Sequence, residues 1–167
     1  LGTTWLKCML TRDEVEEFVN LDKINGQDES EIEYPQAIIA FGYPEEGEAL
    51  FRSSSAIHDR HKMKHICKTY DEKWFNALNA LRVAPSINNC QPWTLEQREN
   101  GFDLFEDEHK KRLGLDKYSR ISMGVALRHF EIACKHDDID IEYKKLDVKD
   151  KRRKLYFLSV VEKAKQV

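Results

Sequence analysis

The sequence predicts an α+β protein. Three observations carry that expectation: apolar residues at spacings of three and four over 70–83 and 119–136, a continuous apolar run over 36–42, and short strand-like segments around a tight turn at 99–101. The 167 residues suffice for one domain with a proper core. A hydrophobic content of 41% with 34% charged residues suits a soluble globular chain. The net charge of −3 gives no reason to expect a nucleic-acid surface, and the apolar runs are too short for a membrane span. The opening LGTTW has neither a basic start nor a long apolar core, so no signal peptide is expected.

Thr11 can cap a short helix in which Val15, Phe18 and Val19 form an apolar stripe. An acidic loop follows. Gln36 to Gly42 then reads as a central strand covered on both faces, and Gly42-Tyr43-Pro44 as a turn. Residues 53–68 begin as a basic, flexible stretch. Tyr70 to Val83 reads as a helix with Trp74, Ala77, Leu78 and Leu81 inward, ended by Pro85. Residues 94–98 and 102–106 form a hairpin around Glu99-Asn100-Gly101. Ser119 to His136 is the longest helix, apolar enough to be packed on several sides. Two final strands, 140–146 and 154–161, flank a charged turn.

Cys8, Cys67, Cys90 and Cys134 lie far apart without a CxxC pair. They are expected to be reduced thiols in a cytoplasmic protein, with no metal knuckle. His61 and His65, four apart, could share a helix face, but no acidic third ligand stands at helical spacing.

The stretch RVAPSINNCQPW, 82–93, carries more turn-forming and polar residues than a connector needs. VAPSINNCQPW resembles the APSxxNxQPW loop of the FMN-dependent nitroreductase family. LGTTWLKCM (1–9) resembles the family segment that crosses the flavin ring. AIIAFGYP (37–44) resembles the strand and turn after it, HDRHKMK (58–64) a basic segment that meets the phosphate, and SMGVALRHFEIAC (122–134) the long central helix. An ordinary unit of the family runs in the order QPW loop, central helix, LGTxW, GYP. Here LGTTW and GYP come first. The resemblance therefore points to the tandem, putative TM nitroreductase subgroup, in which one chain imitates the usual homodimer. It implies that a front segment precedes Leu1, that 1–59 is the C-terminal half of a first unit, and that 60–167 is a second, shorter unit packed with it in one globular domain. The implied fold is a mostly antiparallel sheet flanked by helices, arranged as a pseudo-dimer that acts as a monomer or a homodimer.

The resemblance also implies a site. FMN needs cations for its phosphate and a few amides around a flat ring. Arg60 is the phosphate candidate, with Lys62 and His58 beside it. Ser86 and Asn89 are the pair for the pyrimidine edge, with Asn88 and Gln91 as weaker companions and Pro85 against the ring. Trp5, Leu6, Lys7 and Cys8 are expected along the ring, where a backbone N–H of Lys7 or Cys8 could reach N5. Trp93 is expected in the core rather than on the ligand. The implied reaction is ping-pong: NADH or NADPH gives hydride to FMN, and a small nitroaromatic or quinone-like acceptor takes it. No side chain is required as acid or base. The alternative is a degenerate member that binds flavin weakly or not at all and serves as an interaction module. In this subgroup Arg60 could also mark a second or vestigial site.

Overall fold

The computed structural model describes residues 3–8, 13, 16, 37–43, 45–47, 59–108 and 116–164, with the backbone alone for 3–8, 37–41 and 116–118. The chain divides into two compact units, Leu1–Ser53 and Ser54–Val167.

In the first unit, β1 (Thr3–Cys8) pairs antiparallel with β2 (Ala37–Gly42). Trp5 stands opposite Ala40 and Cys8 opposite Ala37. The apolar run at 36–42 was expected to be a central strand. Among the described residues, however, β2 has a single strand neighbour. An apolar run reports burial and not the number of flanking strands. Tyr43 follows β2 and is exposed. Asp13 and Glu16 are helical, while Thr11, Val15, Phe18 and Val19 lie outside the described residues.

The second unit begins with one helical turn, α1 (Met63–Ile66). His61 precedes it, so His61 and His65 do not share a helix face; their rings meet edge to face at 6.5 Å. A 3-10 turn over Glu72–Trp74 runs into α2 (Phe75–Val83). The inward stripe holds: Trp74, Ala77, Leu78 and Leu81 are all buried. The helix stops where Pro85 forces it to. A residue before proline is driven out of the α region, and Ala84 has ψ 141°.

β3 (Trp93–Arg98) and β4 (Gly101–Asp107) form the hairpin. Gly101 sits inside β4 rather than in the turn. It has φ +138°, and a Cβ there would lie 2.0 Å from the Val160 carbonyl oxygen. Gly101→Ala is therefore expected to cost about 3 kcal/mol through strain and loss of the ladder to the neighbouring strand. A lower urea midpoint would register it; an unchanged midpoint would contradict the collision.

α3 (Asp116–His136) follows, then β5 (Ile141–Lys144) and β6 (Lys154–Glu162). The sheet order is β3-β4-β6-β5, antiparallel throughout. Among the described residues, α3 is not packed on several sides. It buries one stripe, Ser119, Ser122, Met123, Ala126, Leu127, Phe130 and Cys134, and leaves Gly124, Arg128 and Ile132 exposed. That spacing is the one-sided pattern of an amphipathic helix. Its many small residues had made it look more uniformly apolar than it is. α2, α3 and one face of the sheet share a single core. Trp74 stacks on Phe130 at 5.9 Å and meets Phe102 edge-on at 5.3 Å.

Candidate functional site

The 84–92 loop is held by its own backbone and by two neighbouring segments. Pro85 is exposed and Ser86 is extended. A 3-10 turn over Ile87–Asn89 follows, closed by bonds from the Asn89 N–H to Ser86 O at 3.0 Å and from the Cys90 N–H to Ile87 O at 3.0 Å. The Ile87 N–H donates to Ser122 Oγ at 3.1 Å, which fastens the loop to α3. At its far end the Asp107 N–H donates to Pro92 O at 2.8 Å.

Three residues here occupy the left-handed region: Asn88 (φ 50°), Asn89 (φ 52°) and Gln91 (φ 43°). Asparagine tolerates this conformation because its short amide bonds locally. Glutamine does so less readily, so Gln91 stores strain of about 1 kcal/mol that its surroundings must offset. They do. Its N–H donates to Ser86 Oγ at 3.0 Å, and its side-chain Oε1 accepts from the His61 N–H at 2.8 Å. Its Nε2 donates to Asp59 O and Asn89 O, both at 3.1 Å.

Asn89 joins the same segment. Its Nδ2 donates to Asp59 O at 3.0 Å, and its Oδ1 accepts from the Arg60 guanidinium. Arg60 Nε also donates to Val83 O at 3.3 Å. One guanidinium is thus fixed between the end of α2 and the loop.

The structure brings Arg60, Ser86, Asn89 and Gln91 into one network. Asn88 and Pro85 stand exposed on the same loop, and Lys62 is exposed two residues after Arg60. His58 lies outside the described residues. Gln91, read from sequence as a minor ligand candidate, is only 5% exposed, and its amide is fully engaged in holding the loop. Trp93 is buried in the core, as its size and place at a strand start imply. It stands opposite Glu106 in the ladder. The Trp93 indole N–H and one Glu106 oxygen are buried without a hydrogen-bond partner among the described residues. That leaves unmet polar demand at this end of the sheet.

Trp5, Leu6, Lys7 and Cys8 belong to β1 in the other unit. An antiparallel ladder directs alternate N–H groups at a given neighbour. Of the consecutive Lys7 and Cys8, one N–H therefore points toward β2 and the other away from it.

Two contributors escaped sequence reasoning. The Asp59 carbonyl carries no side-chain signal. Ser122 does carry one, because a serine inside the buried stripe of a long helix asks for a partner.

Cys67, Cys90 and Cys134 are buried, and Cys67 and Cys134 are free thiols. Burial pushes the Cys67 thiol up to about 11 and the Cys134 thiol up to about 12. Neither suits a nucleophile, which must be a thiolate. Both thiols hold their protons more tightly folded than unfolded, where the ordinary value is 9.0. Their contribution to stability is therefore complete below pH 9 and declines as pH rises through 11 to 12. Denaturant melts are expected to show stability falling above pH 9, and Cys134→Ala is expected to flatten that fall. An equal slope in the variant would refute the assignment.

A family described as "Putative TM nitroreductase" matches residues 1–134. The chain belongs to this nitroreductase family. Comparison with curated proteins and with solved structures returns no match. Membership gives the chain a nitroreductase-type fold and a general oxidoreductase character. No described helix is long and apolar enough to cross a membrane.

Proposed function

We propose that this nitroreductase-family chain is an FMN-dependent oxidoreductase that draws on NADH or NADPH and reduces a small nitroaromatic or quinone-like acceptor in the cytoplasm. The observation that carries the reading is the strained 84–92 loop, cross-tied to Arg60 in a member of this family. Strain maintained by so many bonds marks a backbone whose shape is needed.

The donor set fits FMN. The guanidinium is pre-oriented by Val83 O and Asn89, and its planar fork matches phosphate oxygens. Lys62 adds a second cation. Ser86 Oγ accepts from the Gln91 N–H, which leaves its own O–H to donate. The exposed Asn88 amide offers a donor and an acceptor to the pyrimidine edge. Asn89 orders Arg60 and reaches the ring edge only by exchanging a partner. Pro85 presents a flat apolar surface. FMN supplies the hydride chemistry when bound, and the chain binds, orients and excludes water. As proposed, the chain acts as a monomer or as a homodimer.

Arg60→Ala is expected to weaken FMN binding by about thirtyfold, the loss of a charge-assisted contact. Asn88→Ala is expected to weaken it about fivefold. Flavin fluorescence quenching measures both. Equal affinity in Arg60→Ala would remove Arg60 from the site.

A second reading is favoured by one observation. The Asn89 and Gln91 amides are already engaged within the protein. A degenerate member that binds flavin weakly, and acts as an interaction module, would keep such a loop for its own stability. Wild-type protein that leaves FMN fluorescence unquenched supports that reading.

A further inference from the structure

The second unit holds a cleft that the flavin reading does not use. It has a volume of about 310 Å³ and lies where β3, the edge strand of the sheet, meets the bend after α1. Its lining includes His65, Cys67, Lys68, Glu96, Gln97 and Lys154, none of which belongs to the 84–92 network. That volume is at the small end of ligand pockets, too small for a dinucleotide and suitable for a small metabolite.

The charges are arranged unequally. Glu96 is neutralised from two sides, by Lys151 and by Lys154 Nζ at 3.3 Å. Burial alone would raise the Glu96 carboxyl, but the hydrogen bonds from these two ammonium groups outweigh it and hold it below the ordinary range. The Gln97 amide donates to Asp71 at 2.6 Å. Lys68 is exposed and has no partner among the described residues. The lining thus carries two ammonium groups, Lys68 and Lys154, against the single carboxylate of Glu96, and Lys68 is the one with no described partner. Cys67, also in the wall, donates its S–H to Thr69 O at 3.2 Å and stays a neutral thiol. The outer edge of β3 adds backbone groups that no other described strand takes up.

We propose that this cleft between β3 and the 65–69 bend binds a small anion, a carboxylate- or phosphate-bearing metabolite, with Lys68 and Lys154 as its cationic contacts. The site is independent of flavin binding, so its test does not depend on that reading.

The test is a backbone amide NMR titration of the full chain with inorganic phosphate, with succinate and, at matched ionic strength, with sodium chloride. Saturable shifts at Lys68, Thr69 and Gln97 are expected with phosphate or with succinate, and whichever produces them names the anion class. Lys68→Gln, on an exposed side chain, is expected to weaken binding about fivefold, the effect of one partly exposed ion pair. Glu96→Gln is expected to tighten it, since it releases Lys151 and Lys154. A purely structural cleft would not respond in opposite directions to these two changes. Silence of those amides with both anions, shifts reproduced by sodium chloride, or unchanged affinity in Lys68→Gln would overturn the proposal.

Discussion

Trp74→Ala is expected to lower the unfolding free energy by about 4 kcal/mol, the cost of removing a buried tryptophan. Trp74 is 1% exposed and sits at the junction of the 3-10 turn and α2. It stacks on Phe130 of α3 and meets Phe102 of β4 edge-on, while Phe102 and Phe130 touch each other at 5.9 Å. One deletion therefore opens a cavity bordered by helix, helix and sheet. The two phenylalanines cannot close it, because each is fixed by its own element. Urea denaturation of the second unit's core, followed by tryptophan-independent circular dichroism, gives the measurement. A loss below about 1 kcal/mol would mean that the three-ring cluster is not packed as described.

Gln91→Leu is expected to cost about 3 kcal/mol, and here the functional consequence matters more. The side chain nearly matches in size, so the loss is polar. Asp59 O and Asn89 O lose a donor, and the His61 N–H loses its acceptor. Each part-buried hydrogen bond removed costs about 1 kcal/mol. Only the main-chain N–H bond to Ser86 Oγ then offsets the left-handed backbone at position 91, so the loop is expected to relax and release Asn89 and Arg60 from their present places. FMN affinity is expected to fall about tenfold without any ligand contact being removed, since preorganisation is lost. Gln91→Glu separates the contributions: it keeps an acceptor for the His61 N–H and removes both donors. Intermediate stability in that variant supports the assignment, and wild-type stability in both would contradict it.

Much of the second unit was legible because its segments obey simple periods. The α2 stripe follows from Trp74, Ala77, Leu78 and Leu81, and its end from Pro85. The hairpin follows from alternation around Glu99 and Asn100. Misreadings occurred where one sequence pattern has two structural causes. The small residues of α3 looked buried all round, yet Gly124 and Ile132 are exposed. At the candidate site, the importance of 84–92 was visible from its composition. The division of labour within it was not. Whether an amide faces a ligand or its own backbone depends on dihedral angles that residue identity does not determine, and Gln91 turned out to hold the loop. The partners Asp59 O and Ser122 come from far along the chain, beyond the reach of any local pattern.

The central claim is that this nitroreductase-family chain carries a working flavin at the 84–92 loop. The most direct measurement is the visible absorption spectrum of the full-length protein with added FMN, before and after NADH or NADPH. The account predicts a bound two-band flavin spectrum that bleaches with reductant, together with weakened retention in Arg60→Ala. A colourless protein after FMN addition and desalting, or a bound flavin that no nicotinamide bleaches, would contradict it.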